Sequence, residues 1–201
     1  MMKSITATIG LLLGATTMAA TAEDEAAYPK FAKKFNRLNR PDYDWEPHTV
    51  VSEGWSLTVF RVFSTDPAVQ AESKSPVVCQ PGRGGGASPT GWKMQLPERG
   101  TEVWLSSQRG YANSDTNERD GEWSLKERWS YTFADKGYYD IPAIVERVKE
   151  VTGKDKVTVL GSSQGSASLY YGLAKRQDWY AENVDRAILL SSCIILNRDQ
   201  P

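Results

Sequence analysis

The sequence predicts an α/β fold: a mostly parallel sheet with an antiparallel start and helices on both faces. Three observations predict it. Short apolar runs rich in β-branched residues recur at Pro76–Cys79, Thr101–Leu105, Val157–Leu160 and Arg186–Leu190, each the length of a buried strand. Helical periodicity lies between them, most clearly at Asp140–Val151, where Ile141, Ile144, Val145 and Val148 form one apolar face. Ahead of these repeats, His48–Ser52 and Trp55–Phe63 flank a Glu53-Gly54 turn and read as a β-hairpin. The 201 residues suffice for one domain with a sizeable core.

The elements follow in chain order. Lys3, the apolar run Ile9–Ala15 and the Ala20-Thr21-Ala22 site ahead of Glu23-Asp24-Glu25 have the layout of a secretory signal peptide. That run is too short to span a bilayer, and no second stretch is long enough to be a transmembrane segment. The expected organisation is a signal peptide at 1–22, an N-terminal arm at 23–45 and the α/β domain at 46–201. The leader implies secretion or delivery to a lysosome-like lytic compartment. In the arm, Phe31, Phe35 and Leu38 sit at helical spacing ahead of Pro41, as in a short amphipathic helix or an extended arm. Residues 64–75 read as a polar loop and Pro76–Cys79 as a strand. A helix-like stretch at Trp92–Arg99 precedes the strand Thr101–Leu105. Residues 106–128 read as a polar loop, and Trp129–Asp135 leads into the Asp140–Val151 helix, where Pro142 suits the first turn. Residues 177–185 read as a loop before the final strand. There is no internal repeat or low-complexity tract.

The formal net charge of −1 argues against nucleic acid as a partner. Seven Trp and nine Tyr fit an aromatic-rich core and surface, or recognition of apolar or sugar-like ligands. Cys79 and Cys193 are compatible with one disulfide in an oxidising compartment. Both lie in apolar runs read as central strands, so two buried free thiols are expected. No Asn-x-Ser/Thr glycosylation acceptor occurs.

The most informative stretch is Val157-Thr-Val-Leu-Gly161-Ser162-Ser163-Gln164-Gly165. A buried strand, a Gly-x-Ser-x-Gly turn and a small-residue helix start make the nucleophile elbow of an α/β-hydrolase. The turn is tight enough to require small neighbours at Gly161 and Gly165, and it holds the Ser163 hydroxyl above the helix start. The bare pattern arises by chance often enough to be weak; the flanking strand and helix sharpen it. Upstream, Pro76–Cys79 feeds Gln80-Pro-Gly-Arg-Gly-Gly-Gly-Ala-Ser88. A glycine-rich loop after a buried strand brings backbone N–H groups close to a ligand. It lacks both the Gly-Lys-Ser/Thr of a phosphate loop and the Gly-x-Gly-x-x-Gly of a dinucleotide site. An oxyanion loop fits better, since these hydrolases draw one donor from it.

Several segments together resemble the acid lipase family, the gastric and lysosomal lipases and their relatives, over its N-terminal part. They are Glu46-Pro-His48-Thr-Val50 with Glu53-Gly54-Trp55-x-Leu57; Val103-Trp104-Leu105 with Arg109-Gly110; Trp129-Ser-Tyr-x-Phe133 with Tyr139-Asp140-Ile-Pro142-Ala143; and the elbow, where Ser162 replaces the family's histidine. Their shared order runs from about Tyr43 to Ser192. The resemblance implies a partial α/β-hydrolase domain hydrolysing neutral lipid esters, with transient contact to a lipid interface, no cofactor and no metal. By position it implies Ser163 as nucleophile, the Gln164 N–H as one oxyanion donor and Arg83 as the second. At Arg83 the family has an apolar residue after His-Gly, whereas this chain has Pro81-Gly82 before it.

A serine needs a base, and in this fold the acid and histidine follow the serine. The single histidine, His48, precedes it, and matches a family position without a catalytic role. After Ser163 the acidic residues are Asp178, Glu182, Asp185 and Asp199. The resemblance places the catalytic Asp and His, the remaining strands and the lid beyond Pro201, so a fragment with little or no turnover of its own is expected. An apolar last strand left as an edge supports that expectation. Two alternatives stay open: a non-catalytic lipid- or partner-binding hydrolase-like protein, and another α/β-hydrolase such as a peptidase or polysaccharide esterase.

Overall fold

The computed structural model describes residues 19–71 and 74–192. Residues 1–18 of the expected leader, Cys193 and Asp199 lie outside them. The described chain begins with two helices, α1 (Ala22–Ala27) and α2 (Pro29–Asn36). Thr21 caps α1 through a reciprocal capping box with Asp24. In α2, Pro29 sits in the first turn, and the helix buries Phe31, Ala32 and Phe35. The Phe31 ring stacks on Phe60, with centroids 3.9 Å apart, and tilts against Trp45. Of the two forms expected for this arm, the helix is the one observed.

The hairpin is longer at its open end than the sequence alternation predicts. Strands β1 (Tyr43–Ser52) and β2 (Trp55–Ser64) pair antiparallel over their whole length. Glu53 and Gly54 both have positive φ, 49° and 77°, the two-residue turn whose twist matches its strands. Then follow α3 (Pro67–Ala71), β3 (Val77–Gln80), two 3-10 turns (Gly91–Gln95 and Pro97–Arg99), β4 (Val103–Ser106), β5 (Thr116–Asn117), α4 (Leu125–Arg128) and α5 (Phe133–Asp135). A π-helical turn, Lys136–Asp140, leads into α6 (Ile141–Thr152); β6 (Val157–Ser162), α7 (Gln164–Lys175), α8 (Gln177–Asn183) and β7 (Val184–Leu190) follow among the described residues.

The strand order is β1-β2-β4-β3-β6-β7, with the short β5 against β2. From β4 onward the pairs are parallel. Period-two alternation sends Leu57, Val59, Val78, Trp104, Val157 and Val159 into a core with Ile141, Ile144 and Val148 of α6 and Leu169 of α7. Phe60, Val62, Cys79, Leu105 and Leu160 face the opposite core, built with Phe31 and Phe35 of α2. Cys79 is a buried free thiol, and burial pushes its pKa up to about 12, so it is chemically quiet. Over β6 and β7 on the α2 side, an open cleft of about 640 Å³ is lined by Val77, Leu96, Leu160, Ile188 and Leu190. Strand β7 forms one edge of the described sheet, with Ile188, Leu189 and Leu190 exposed.

Three segments read as loops carry regular structure. Residues 64–75 hold α3, residues 106–128 hold β5 and α4, and residues 177–185 hold α8. Tyr180 anchors helix α8 to the core. Tyr180 is 1% exposed in the core, and its hydroxyl donates to the Gly137 carbonyl at 2.7 Å. A tertiary anchor of this kind overrides the polar composition of its neighbours. Among the described residues no helix is long and apolar enough to cross a membrane.

Candidate active site

In a parallel sheet the loops leaving the carboxyl ends of the strands gather along one edge. Here that edge brings together the glycine-rich loop after β3 and the turn after β6. Between β6 and α7 the backbone passes through Ser163 with φ 52° and ψ −120°, a combination that costs about 1–3 kcal/mol for a residue with a Cβ. The surroundings enforce it. A Cβ at Gly161 would lie 2.6 Å from the Gly165 carbonyl oxygen, and one at Gly165 would lie 2.4 Å from the Gln80 carbonyl oxygen. A side chain at Gly161 would push α7 away from β6, and one at Gly165 would push it away from the end of β3. The Ser163 N–H donates to the Leu190 carbonyl at 2.8 Å. Ser166 Oγ reaches both the Gly161 and Leu190 carbonyls, at 2.7 and 2.8 Å. The serine is thus held from the strand before it, the helix after it and the neighbouring strand.

Ser163 is partly exposed, and its hydroxyl makes no hydrogen bond among the described residues. Gln164 opens α7, so its N–H has no intrahelical acceptor. The glycine loop lies over the serine: a Cβ at Gly82 would sit 3.2 Å from Ser163 Cβ and 3.6 Å from Oγ. Gly85 N–H closes the turn onto the Gly82 carbonyl at 2.9 Å, with Arg83 at the exposed tip. Behind the tip, the loop is tied to the end of β4. Gln108 N–H donates to the Gly85 carbonyl, Ala87 N–H to Ser107 Oγ, and Gln108 Nε2 to the Pro81 carbonyl. A cavity of about 120 Å³ between loop and strand ends is lined in part by Gln80, Gly86, Ala87, Leu105 and Ser162.

The structure therefore brings Ser163, Gln164, Gly161, Gly165 and the loop bearing Arg83 to one place. His48 is elsewhere. It lies on β1, four strand positions from β6, on the order of 19 Å away at ~4.8 Å per strand. Its Nε2 is 3.0 Å from Glu46 Oε1, and its ring packs on Trp104. Asp185 begins β7, at the opposite end from the elbow, and accepts from Thr158 Oγ1 at 2.8 Å. Asp178 and Glu182 lie on α8. Among the described residues no group of His, Cys, Asp or Glu could hold a metal ion.

Two polar residues at the site, Lys136 and Gln108, carry no signal in local spacing. Lys136, from the π-helical turn, is 2% exposed. Its ammonium donates to Gln108 Oε1 at 2.9 Å and to Gln164 Oε1 at 3.1 Å, each partner 28 positions away. Burial pulls its pKa down to about 8, the nearby Asp140 opposing and Arg109 and Arg83 adding to the effect. Asp140 in turn is paired with Arg109, whose Nε lies 2.9 and 3.1 Å from the two carboxylate oxygens.

A strained serine between a parallel strand and a helix, under a glycine loop, defines a class. The chain belongs to the alpha/beta hydrolase fold family, which matches residues 75–201. Its relatives are lipases. It is 29% identical over 111 residues to Lipase lipl-3 of Caenorhabditis elegans, covering 51% of this chain and 27% of that protein. It is 31% identical over 134 residues to gastric triacylglycerol lipase of Rattus norvegicus, covering 62% of this chain and 33% of that one. The chain thus spans about a third or less of these two lipases, and within the family it is acid-lipase-like. Among solved structures, Est1E of Butyrivibrio proteoclasticus with bound ferulic acid superposes with a TM-score of 0.54 at 16% identity, over 73% of this chain and 53% of that one. At that identity the likeness concerns the fold.

Proposed function

We propose that this chain carries the nucleophile half of a serine ester hydrolase of the acid-lipase type, acting on neutral lipid esters. The observation that carries the proposal is Ser163 at φ 52°, ψ −120°, with an unbonded hydroxyl beneath Gly82 and the unpaired Gln164 N–H beside it. Ser163 Oγ attacks the ester carbonyl as a base takes its proton, and the carbonyl oxygen becomes an oxyanion. The N–H groups of Gln164 and Arg83 receive that charge in a preorganised hole. Collapse expels the alcohol, which takes a proton from the protonated base, and leaves the acyl group on Ser163 for water to remove. Base and orienting acid are a histidine and a carboxylate. The described residues contain neither near Ser163, so residues 23–201 alone have little or no turnover. Likeness to lipases named as gastric, together with the leader-like N-terminus, favours secretion or a lytic compartment as the site of action and a transient lipid interface as the setting.

A second reading, a lipid- or partner-binding protein without turnover, draws support from the same lack of a base. Phosphonylation separates them at the serine. Residues 23–201 are incubated with a fluorophosphonate and digested for mass spectrometry, and hydrolysis of p-nitrophenyl esters of short and long chain is followed in parallel. The proposal expects slow, stoichiometric modification at Ser163, absent in Ser163→Ala, and negligible ester turnover. Modification elsewhere with Ser163 untouched sinks the nucleophile assignment. Rapid turnover abolished by Ser163→Ala sinks the claim that the base is missing.

A further inference from the structure

We infer that Lys136 is a positioning residue that locks the two oxyanion donors, on the elbow helix and on the glycine loop, into one frame. The inference rests on the reading of Ser163 as nucleophile, and it assigns a role to a side chain outside the elbow motif.

The argument starts from connectivity. Two segments distant in sequence, 82–85 and 163–164, must keep fixed relative positions if their N–H groups are to converge on one oxygen, because oxyanion stabilisation depends on donors already placed before charge develops. Gln108 reaches the first: its side-chain amide donates to the Pro81 carbonyl at 2.8 Å, and its own N–H donates to the Gly85 carbonyl at 3.2 Å. Gln164 belongs to the second. Lys136 joins them, donating to both side-chain carbonyls at 2.9 and 3.1 Å. The chain Gln164–Lys136–Gln108–Pro81 is a continuous polar strut from the elbow helix to the glycine loop. A lysine ammonium has three donors and no acceptor, which suits a bridge between two amide oxygens.

The bridge carries charge as well as geometry. Asp140 is engaged by Arg109, so the Lys136 ammonium has no carboxylate of its own. The groups facing it are the Tyr111 and Tyr131 rings, with centroids 5.9 and 5.3 Å from Nζ, together with Arg109, Arg83 and Asp140. A cation so placed favours negative charge on the oxygen that Gln164 N–H would bind. Lys136 reaches this spot because a π-helical turn, Lys136–Asp140, interrupts the approach to α6. Such turns frequently mark functional positions.

The test uses the 201-residue chain as wild type, Lys136→Met, Lys136→Arg and Gln108→Leu. Amide hydrogen exchange in residues 82–86 and 164–166 is followed from pH 6.5 to 9.5, each rate normalised to its intrinsic value, alongside fluorophosphonate modification of Ser163. Lys136→Met and Gln108→Leu are expected to speed exchange in both segments together by tenfold or more, while β1 and β2 amides stay within twofold. Lys136→Arg is expected to restore wild-type exchange to within threefold. Opening of the strut frees the buried ammonium, so normalised wild-type exchange should slow above about pH 8 and that of Lys136→Arg should not. Modification of Ser163 should slow at least tenfold in Lys136→Met. Unchanged exchange in a folded Lys136→Met protein overturns the inference, as does modification of Ser163 within twofold of wild type. If exchange responds as stated but wild-type Ser163 is never modified, the strut stands and the assignment of Ser163 falls.

Discussion

Removing the Asp140 carboxylate is the most direct perturbation of the frame behind the site. Asp140 is 1% exposed and Arg109 3% exposed. The carboxylate receives Arg109 through Nε and Nη2 and accepts from Ser52 Oγ at 2.6 Å. Three segments meet there: the end of β1, the loop after β4 and the head of α6. In Asp140→Ala the guanidinium stays buried without its partner. Breaking a buried pair from one side costs about 3–5 kcal/mol, a large share of a total stability of about 5–15 kcal/mol. At about 2–4 °C per kcal/mol for a chain of this size, Tm should fall by roughly 6–20 °C. Arg109→Met with Asp140→Leu removes both charges and the desolvation that accompanies them, so the double variant should recover most of the loss. Urea and thermal unfolding of wild type, both single variants and the double variant supply the cycle. A loss below about 1 kcal/mol in Asp140→Ala, or a double variant less stable than the sum of the singles, would refute the reasoning.

Three further outcomes are expected. Gly165→Ala places a Cβ 2.4 and 2.6 Å from the backbone oxygens of Gln80 and Pro81; overpacking against atoms that cannot rotate away costs about 1–3 kcal/mol, so urea denaturation should give a lower midpoint and fluorophosphonate modification of Ser163 should slow. Lys136 has a folded pKa of about 8 against the ordinary 10.5. Between those values the unfolded chain binds more protons, so stability rises with pH through that window and the contribution is absent below it; wild type should gain at most about 3 kcal/mol on Lys136→Met between pH 7 and 10.5, and parallel pH profiles of the two proteins would count against burial of the charge. His48→Ala should leave the rate of Ser163 modification within twofold of wild type, because its ring packs on Trp104 and reaches Glu46; a tenfold loss would return His48 to the mechanism.

The fold was largely legible because its signals are local. Val157–Leu160 and Ile141, Ile144, Val145 and Val148 declare their periods within a single element, and Glu53-Gly54 declares its turn. Helix α8 was not legible, because its cause, Tyr180 anchored on Gly137, joins residues 43 positions apart. The start of β1 failed for a related reason. Tyr43 and Trp45 read as arm residues, yet both are buried beside α2 in the second core. At the site, the Gly-x-Ser-x-Gly spacing marked Ser163 because a steric requirement forces those residue types at fixed offsets. Lys136 and Gln108 obey no such offset. A buried lysine is indistinguishable from a surface one in sequence, and only the packing of the π-helical turn against α7 brings it to Gln164.

The bond from Ser163 N–H to the Leu190 carbonyl, with Ser166 Oγ on the same oxygen, has a kinetic consequence. Two of the contacts that stabilise the unusual dihedrals of the serine come from β7, the last strand of the described chain. Residues 157–175 alone contain the whole motif but lack these contacts, and an isolated peptide of that span has no reason to hold φ at 52°. The reactive geometry of the serine depends on β7 being docked along β6. The rate of Ser163 modification therefore reports on that docking.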